Sequence, residues 1–248
     1  MAETLIVADL HLSDRNLAVL GLLDVLLARA QGAAALYILG DLFDYWVGDD
    51  QPVPGPIAAR LEKLAGLPCP VYFQHGNRDF LLGEAMAARC GMKLLPEYFQ
   101  PQEWAPAVLL CHGDSLCTDD LAYQMMRKQL RNPAFQADFL AKPLPVREAI
   151  AQDLRSRSRQ ETSCKAEDIM DVNAQAVESV MKEQAVSVLI HGHTHRPAIH
   201  RLADGKIRAV VGDWEACGSL ISLEDGVLRL ERFDESSSEI MQQVALAV

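Results

Sequence analysis

Missing first of all is any apolar run approaching the roughly 18 residues that a membrane-spanning helix needs, so no transmembrane segment is expected. No signal peptide is expected either, because the N-terminus runs straight into a strand-like segment. The six cysteines (Cys69, Cys90, Cys111, Cys117, Cys164 and Cys217) form no C-x-x-C pair. That excludes a Cys-rich structural zinc site, and the chain is too long to be a disulfide-stapled scaffold. The expectation is a reducing, cytoplasmic compartment with free, mostly buried thiols. Positive charge is scarce: 23 Lys and Arg face 34 Asp and Glu, a net charge of −11, so the surface as a whole does not seek nucleic acid. Internal repeats and low-complexity tracts are absent.

What is present suffices for a large core: half of the 248 residues are hydrophobic. Short apolar runs rich in Val, Ile, Leu and Tyr read as buried strands. They are Thr4–Ala8, Ala35–Leu39, Val71–Phe73, Val108–Cys111 and Val186–Ile190, each ending in a polar cluster. Helices are expected at Leu17–Ala30 and Pro56–Leu64, and the alternation argues for a layered α/β domain. After Arg196, Ile207–Val211, Ser219–Ser222 and Val227–Leu230 alternate with Gly and Asp turns, as in a β-meander. The tail from Glu235 is expected to fray.

Between Thr118 and about Lys182 no convincing strand occurs. Helices are expected at Leu121–Met126, Phe135–Leu140, Arg147–Arg159 and Asp168–Val180, broken at Pro133, Pro143 and Pro145. The domain is thus read as residues 1–248 with a helical insertion at 118–182. Nine basic residues against four acidic ones lie between Arg127 and Lys165. This island suits an anionic ligand, an anionic membrane surface or simply a solvated helical face.

Five polar motifs stand where strands end: Asp9-Leu-His11, Gly40-Asp41-Leu-Phe-Asp44, Gly76-Asn77-Arg78-Asp79, His112-Gly-Asp114 and Gly192-His193-Thr-His195. Open α/β sheets place ligands at the carboxyl ends of strands. In Asp-x-His, the period of two puts both side chains on one side of an extended backbone. The donors are imidazoles, carboxylates and an amide oxygen, which suits Mn²⁺, Fe²⁺ or Zn²⁺. Seven ligands exceed the need of one ion, but suit two ions roughly 3.5–4 Å apart that share a carboxylate. His75, His191 and His200 read as ordinary core histidines. Asp44, Asp79 and Asp114 either orient ligands or shape turns.

The set resembles the calcineurin-like metallophosphoesterase superfamily, whose signature is D-x-H, G-D-x-x-D, G-N-H-D/E, a later His and G-H-x-H. The resemblance implies a four-layer α-β-β-α sandwich. It also implies that Asp9, His11 and His195 hold one ion, that Asn77, His112 and His193 hold the second, and that Asp41 bridges them. Arg78 stands where the superfamily usually has a proton-donating His. An arginine stays charged and cannot act as a general acid near neutral pH. It suits a pyrophosphate, whose leaving phosphate needs no proton, and can clamp phosphate oxygens.

Gly76-Asn-Arg-Asp-Phe80, Ile190-His-Gly-His-Thr-His-Arg-Pro197 and Ile169-Met-Asp-Val-Asn173 are similar to the UDP-2,3-diacylglucosamine pyrophosphatase (hydrolase) family of lipid A biosynthesis. That likeness implies cleavage to UMP and 2,3-diacylglucosamine 1-phosphate with two Mn²⁺, at the cytoplasmic face of the inner membrane. It implies substrate contacts at Asn77, Arg78, Asp120, Ser158, Thr162, Lys165 and His193, with Asp41, Asn77, Arg78 and His193 at the reacting centre. Thr162 departs from the Asn usual there. Leu121, Met125, Met126, Phe135, Phe139, Leu140 and Leu144 offer apolar surface for packing or for acyl chains. No obligate protein partner is evident. The alternatives are a soluble-substrate phosphodiesterase or nucleotide pyrophosphatase, and a non-catalytic binding module on the same scaffold.

Overall fold

The computed structural model describes residues 2–14, 16, 18–164 and 171–246, and the side chains of all of these but 157–164. The elements run β1 (Thr4–Val7), α1 (Ala18–Ala30), β2 (Ala35–Ile38), α2 (Gly55–Ala65), β3 (Val71–Phe73), α3 (Glu84–Arg89), β4 (Met92–Leu94) and β5 (Val108–Leu110). The helices α4 (Leu121–Leu130), α5 (Pro133–Leu140), α6 (Leu144–Cys164) and α7 (Ala174–Glu183) follow. The chain ends with β6 (Val188–His191), β7 (Ala198–Arg201), β8 (Ile207–Val210), β9 (Gly218–Glu224), β10 (Val227–Phe233) and β11 (Ser238–Ala245).

Two sheets form, a seven-stranded one in the order β11-β10-β9-β1-β2-β3-β4 and a four-stranded one in the order β5-β6-β8-β7. Strands β1 to β4 are mutually parallel, as are β5, β6 and β8. Strand alternation sorts side chains into three cores. Leu5 and Val7 of β1 face α1 and α2, with Leu26, Leu27 and Leu61. Ile6 and Ala8 face the second sheet, meeting Leu110, Ile190 and Ala209. On that sheet's far side, Leu109 and Leu189 pack on Val177, Val180 and Met181 of α7. Helices thus pack on the outer side of each of the two sheets. Cys69, Cys90 and Cys111 are free and buried, Cys117 is buried, and Cys217 is free and half-buried.

Several expectations are corrected. The tail does not fray: β11 pairs antiparallel with β10. An Asp234 turn closes that hairpin by accepting from the backbone N–H groups of Ser236 and Ser237 and from both hydroxyls. The expected meander divides between sheets, with β7 and β8 in one and β9 to β11 in the other. Pro133 and Pro145 lie in the first turns of α5 and α6, where a missing N–H costs nothing, and start those helices. Helix α7 begins at Ala174 because the Asn173 side chain caps it by accepting from the Ala176 N–H.

Candidate metal centre

All five polar motifs reach one end of the two sheets because β1, β2, β3, β5 and β6 are parallel within their sheets and end there. The two chain segments after β1 and β2 stay zipped past the strands. The N–H groups of Asp9, His11 and Leu12 donate to the carbonyls of Gly40, Asp41 and Leu42 at 3.1, 3.0 and 2.8 Å. A side chain on Gly40 would run into the Gly76 backbone, and one on Gly76 into the Asp41 carboxylate, so these two loops meet only as glycines.

Asp9, His11, Asp41, His193 and His195 all have positive φ, between 50° and 67°. The extended-strand explanation for Asp-x-His is therefore wrong: these residues lie beyond the strands and meet through left-handed backbone. Asp and His tolerate that region better than most residues, at about 1–3 kcal/mol each. Such strain gathered on one set of side chains requires surroundings that hold it.

The Nε2 atoms of His11 and His195 face each other at 3.3 Å. Asp9 Oδ1 lies 3.6 Å from His195 Nε2 and 4.0 Å from His11 Nε2. Asn77 Oδ1 lies 3.0 Å from His112 Nε2 and 2.9 Å from His193 Nδ1. Asp41 sits between the groups, with Oδ2 at 4.0 Å from His11 Nδ1 and Oδ1 at 3.8 Å from His112 Nε2. His112 Nδ1 donates to the Leu39 carbonyl at 2.8 Å, which turns Nε2 inward.

These residues fit divalent metal ions. Asp9 Oδ1 and His11 Nδ1 are buried without a hydrogen-bond partner, a costly arrangement unless something else binds them. Two sets of donors, Asp9–His11–His195 and Asp9–Asp41–His112, each bring their ligand atoms within 4.8 Å of one another. Burial holds His11 and His193 down to about 3, so both imidazoles are neutral and free to ligate. Burial, reinforced by Asp79 and Asp9 against His112 and Arg78, pushes Asp41 up to about 7. Burial lowers His112 and His195, but neighbouring carboxylates outweigh it and raise both.

The surrounding acids have distinct tasks. Asp79, fully buried, accepts from the backbone N–H groups of Gly76 (2.9 Å) and Leu42 (2.7 Å), locking the Asp41 loop. Asp44 accepts from Arg78 at 3.1 Å and from Arg155 of α6 at 2.6 Å. Asp114 accepts from the Tyr123 hydroxyl at 2.8 Å and from Arg127 at 2.7 Å, fastening α4 to the centre. The Asp120 carboxylate caps α4 by accepting from the Tyr123 N–H. The side chains of Ser158 and Thr162, and Lys165 altogether, lie outside the described residues. Of the bland histidines, His191 is buried with Nδ1 donating to the Gly192 carbonyl, and His75 and His200 lie outside the donor set.

Sequence reasoning passed over Tyr123, Arg127 and Arg155, which carry no motif. It also passed over Asp213, which had a signal: Val211-Gly212-Asp213 repeats the strand–Gly–Asp pattern of Leu39-Gly40-Asp41. Beside Asn77 and Arg78 a cavity is lined by Trp46, Phe80, Leu130, Phe135, Phe139 and Leu154, among others.

Residues 3–197 match the family described as calcineurin-like phosphoesterase. A UDP-2,3-diacylglucosamine hydrolase of Serratia proteamaculans is 50% identical, over 93% of this chain and 99% of that protein. One of Sodalis glossinidius is 48% identical, over 93% of this chain and 98% of that protein. Among solved structures, zinc-bound Vps29 of Entamoeba histolytica shares the fold with a TM-score of 0.54 at 15% identity, over 99% of each chain. The chain belongs to the calcineurin-like phosphoesterases and, among them, to the family of the UDP-2,3-diacylglucosamine hydrolases.

Proposed function

We propose that the chain hydrolyses the pyrophosphate bond of UDP-2,3-diacylglucosamine in lipid A biosynthesis, giving UMP and 2,3-diacylglucosamine 1-phosphate. One juxtaposition carries the reading: the apolar cavity opens on Asn77 and Arg78, beside the strained donor cluster. A substrate that joins a pyrophosphate to acyl chains needs both. The name of the relatives, UDP-2,3-diacylglucosamine hydrolase, supports the same substrate.

In this reading Asp9, His11 and His195 would hold one Mn²⁺, Asn77, His112 and His193 would hold another, and Asp41 would serve both. When bound, such ions supply an activated water and polarise phosphoryl oxygens. Arg78 binds rather than protonates. Its backbone N–H donates to Asp41 Oδ1 at 2.8 Å, and Nη1 donates to Asp44 at 3.1 Å. With Nε also 3.3 Å from Asp41 Oδ2, the guanidinium is held beside the donor cluster, where it would meet a phosphate oxygen. The leaving group, a phosphate monoester with a second pKa of about 6, departs without a proton. His193 lies against the same oxygens, and Asp120, Ser158, Thr162 and Lys165 complete the substrate's surroundings. Residues 118–182 act as a lid whose α4, α5 and α6 wall the acyl cavity. The protein works peripherally on the cytoplasmic side of the inner membrane.

The test is a purified-protein assay with Mn²⁺, comparing UDP-2,3-diacylglucosamine, UDP-N-acetylglucosamine and cyclic nucleotides. Turnover of the acylated compound well above the others is expected. Equal turnover of the soluble compounds overturns the reading.

A further inference from the structure

Three parallel strands of the smaller sheet end beside the donor cluster. After β5 comes His112, and after β6 come His193 and His195. After β8 comes Asp213, which belongs to none of the five motifs. Its Oδ2 lies 3.5 Å from His195 Nδ1, the nitrogen on the opposite side of the ring from Nε2, which faces Asp9 and His11.

Asp213 is held firmly from both sides. Before it, the Gly212 N–H donates to the Ser219 hydroxyl at 2.9 Å. After it, Trp214 Nε1 donates to the Ser219 carbonyl at 3.1 Å. Trp214 is fully buried and packs edge-on against Phe233, with ring centroids 5.3 Å apart. Upstream, the Val211 N–H donates to the His191 carbonyl at 2.8 Å, tying this loop to the strand that delivers His193 and His195. His112 is similarly fixed through the nitrogen facing away from the centre, by a backbone carbonyl. His195 sits at φ 55° on a strained loop and is more exposed than His112, so it needs such a partner more.

We infer that Asp213 is the positioning residue of His195, holding the proton on Nδ1 so that Nε2 is turned to the metal centre as a ligand. A carboxylate behind a ligating imidazole fixes ring and tautomer, and losing it typically weakens metal binding 10- to 100-fold. The inference rests on the metal-centre reading above, and the experiment separates the two.

Mn²⁺ binding is measured by equilibrium dialysis, without substrate, for the wild type and for Asp213→Ala, Asp213→Asn, Glu215→Gln and Asp41→Ala. Thermal melting of the metal-stripped proteins runs in parallel. The expectation is a Kd for Mn²⁺ raised about 10- to 100-fold at one of two sites in Asp213→Ala, with a smaller rise in Asp213→Asn, whose amide oxygen can take the proton of Nδ1 as an acceptor. The melting temperature of the stripped variants and the binding of Glu215→Gln should match the wild type. Wild-type affinity at both sites in Asp213→Ala overturns the inference. So does weakened binding in Asp213→Ala that scales with a lowered melting temperature while Asp213→Asn binds normally. A wild type that binds no Mn²⁺, and an Asp41→Ala indistinguishable from it, would instead sink the metal-centre reading.

Discussion

Asp41 and Arg78 form the centre of the site at the scale of single residues. Asp41 is buried, and its two oxygens point at histidines of different groups. Replacing it by Ala should reduce turnover by well over 100-fold, since losing even an outer partner of a ligand costs 10- to 100-fold. Circular dichroism should stay native, because burial already disfavours this carboxylate and its removal leaves the packed layers intact. Arg78→His should lose about 100-fold in kcat, because the substitution removes a charged phosphate clamp and adds a proton donor that the reaction does not need. An undiminished kcat would show that the guanidinium is idle. Most donors were legible in the sequence because each motif follows an apolar run. The backbone conformation that brings them together was not. Positive φ at Asp9, His11, Asp41, His193 and His195 depends on the paired loops, which one-dimensional spacing does not encode.

Among the elements, the buried strands were readable, including the edge strand β5, which is fully buried, and the less buried edges were not. β4, β7 and β11 each lie at the edge of a sheet and escaped notice. These strands are covered on fewer sides and carry no apolar run: β7 is Ala-Ile-His-Arg, and most of β11 is exposed. What holds β11 is partly polar. Glu231 of β10 accepts from Arg29 of α1 at 2.7 and 2.9 Å, from Ser222 of β9 and from Ser238 of β11. Burial alone would raise this carboxyl, but Arg29, Ser222 and Ser238 outweigh it and hold it below 4.5. Its folded pKa lies below the unfolded one, so the ionised group stabilises the fold above about pH 4.5. That contribution disappears as pH falls through the folded value. Glu231→Gln should cost about 1.5–3 kcal/mol at pH 7, read by urea unfolding, with a difference that shrinks toward pH 3. A constant difference across that range would place the loss in packing instead.

For the molecule as a whole, the charge is uneven: the stretch from Arg127 to Lys165 is a basic island in an otherwise acidic chain. Among the described residues no helix is long and apolar enough to cross a membrane. Leu121 and Met125 of α4 are 72% and 75% exposed, on the insertion that carries the basic island. Apolar tips with basic neighbours suit an anionic bilayer, where each near-surface Lys or Arg contributes about 1 kcal/mol. Sedimentation with anionic vesicles should therefore show binding at low salt that weakens at high salt. No binding at either salt rejects the peripheral-membrane reading.

Seven side chains form the cage proposed for two cations. Crystals grown with Mn²⁺ and measured at its absorption edge test that directly. Two anomalous peaks roughly 3.5–4 Å apart are predicted. One should touch Asp9, His11 and His195, the other Asn77, His112 and His193, and both Asp41. A single peak, or peaks away from these residues, would contradict it.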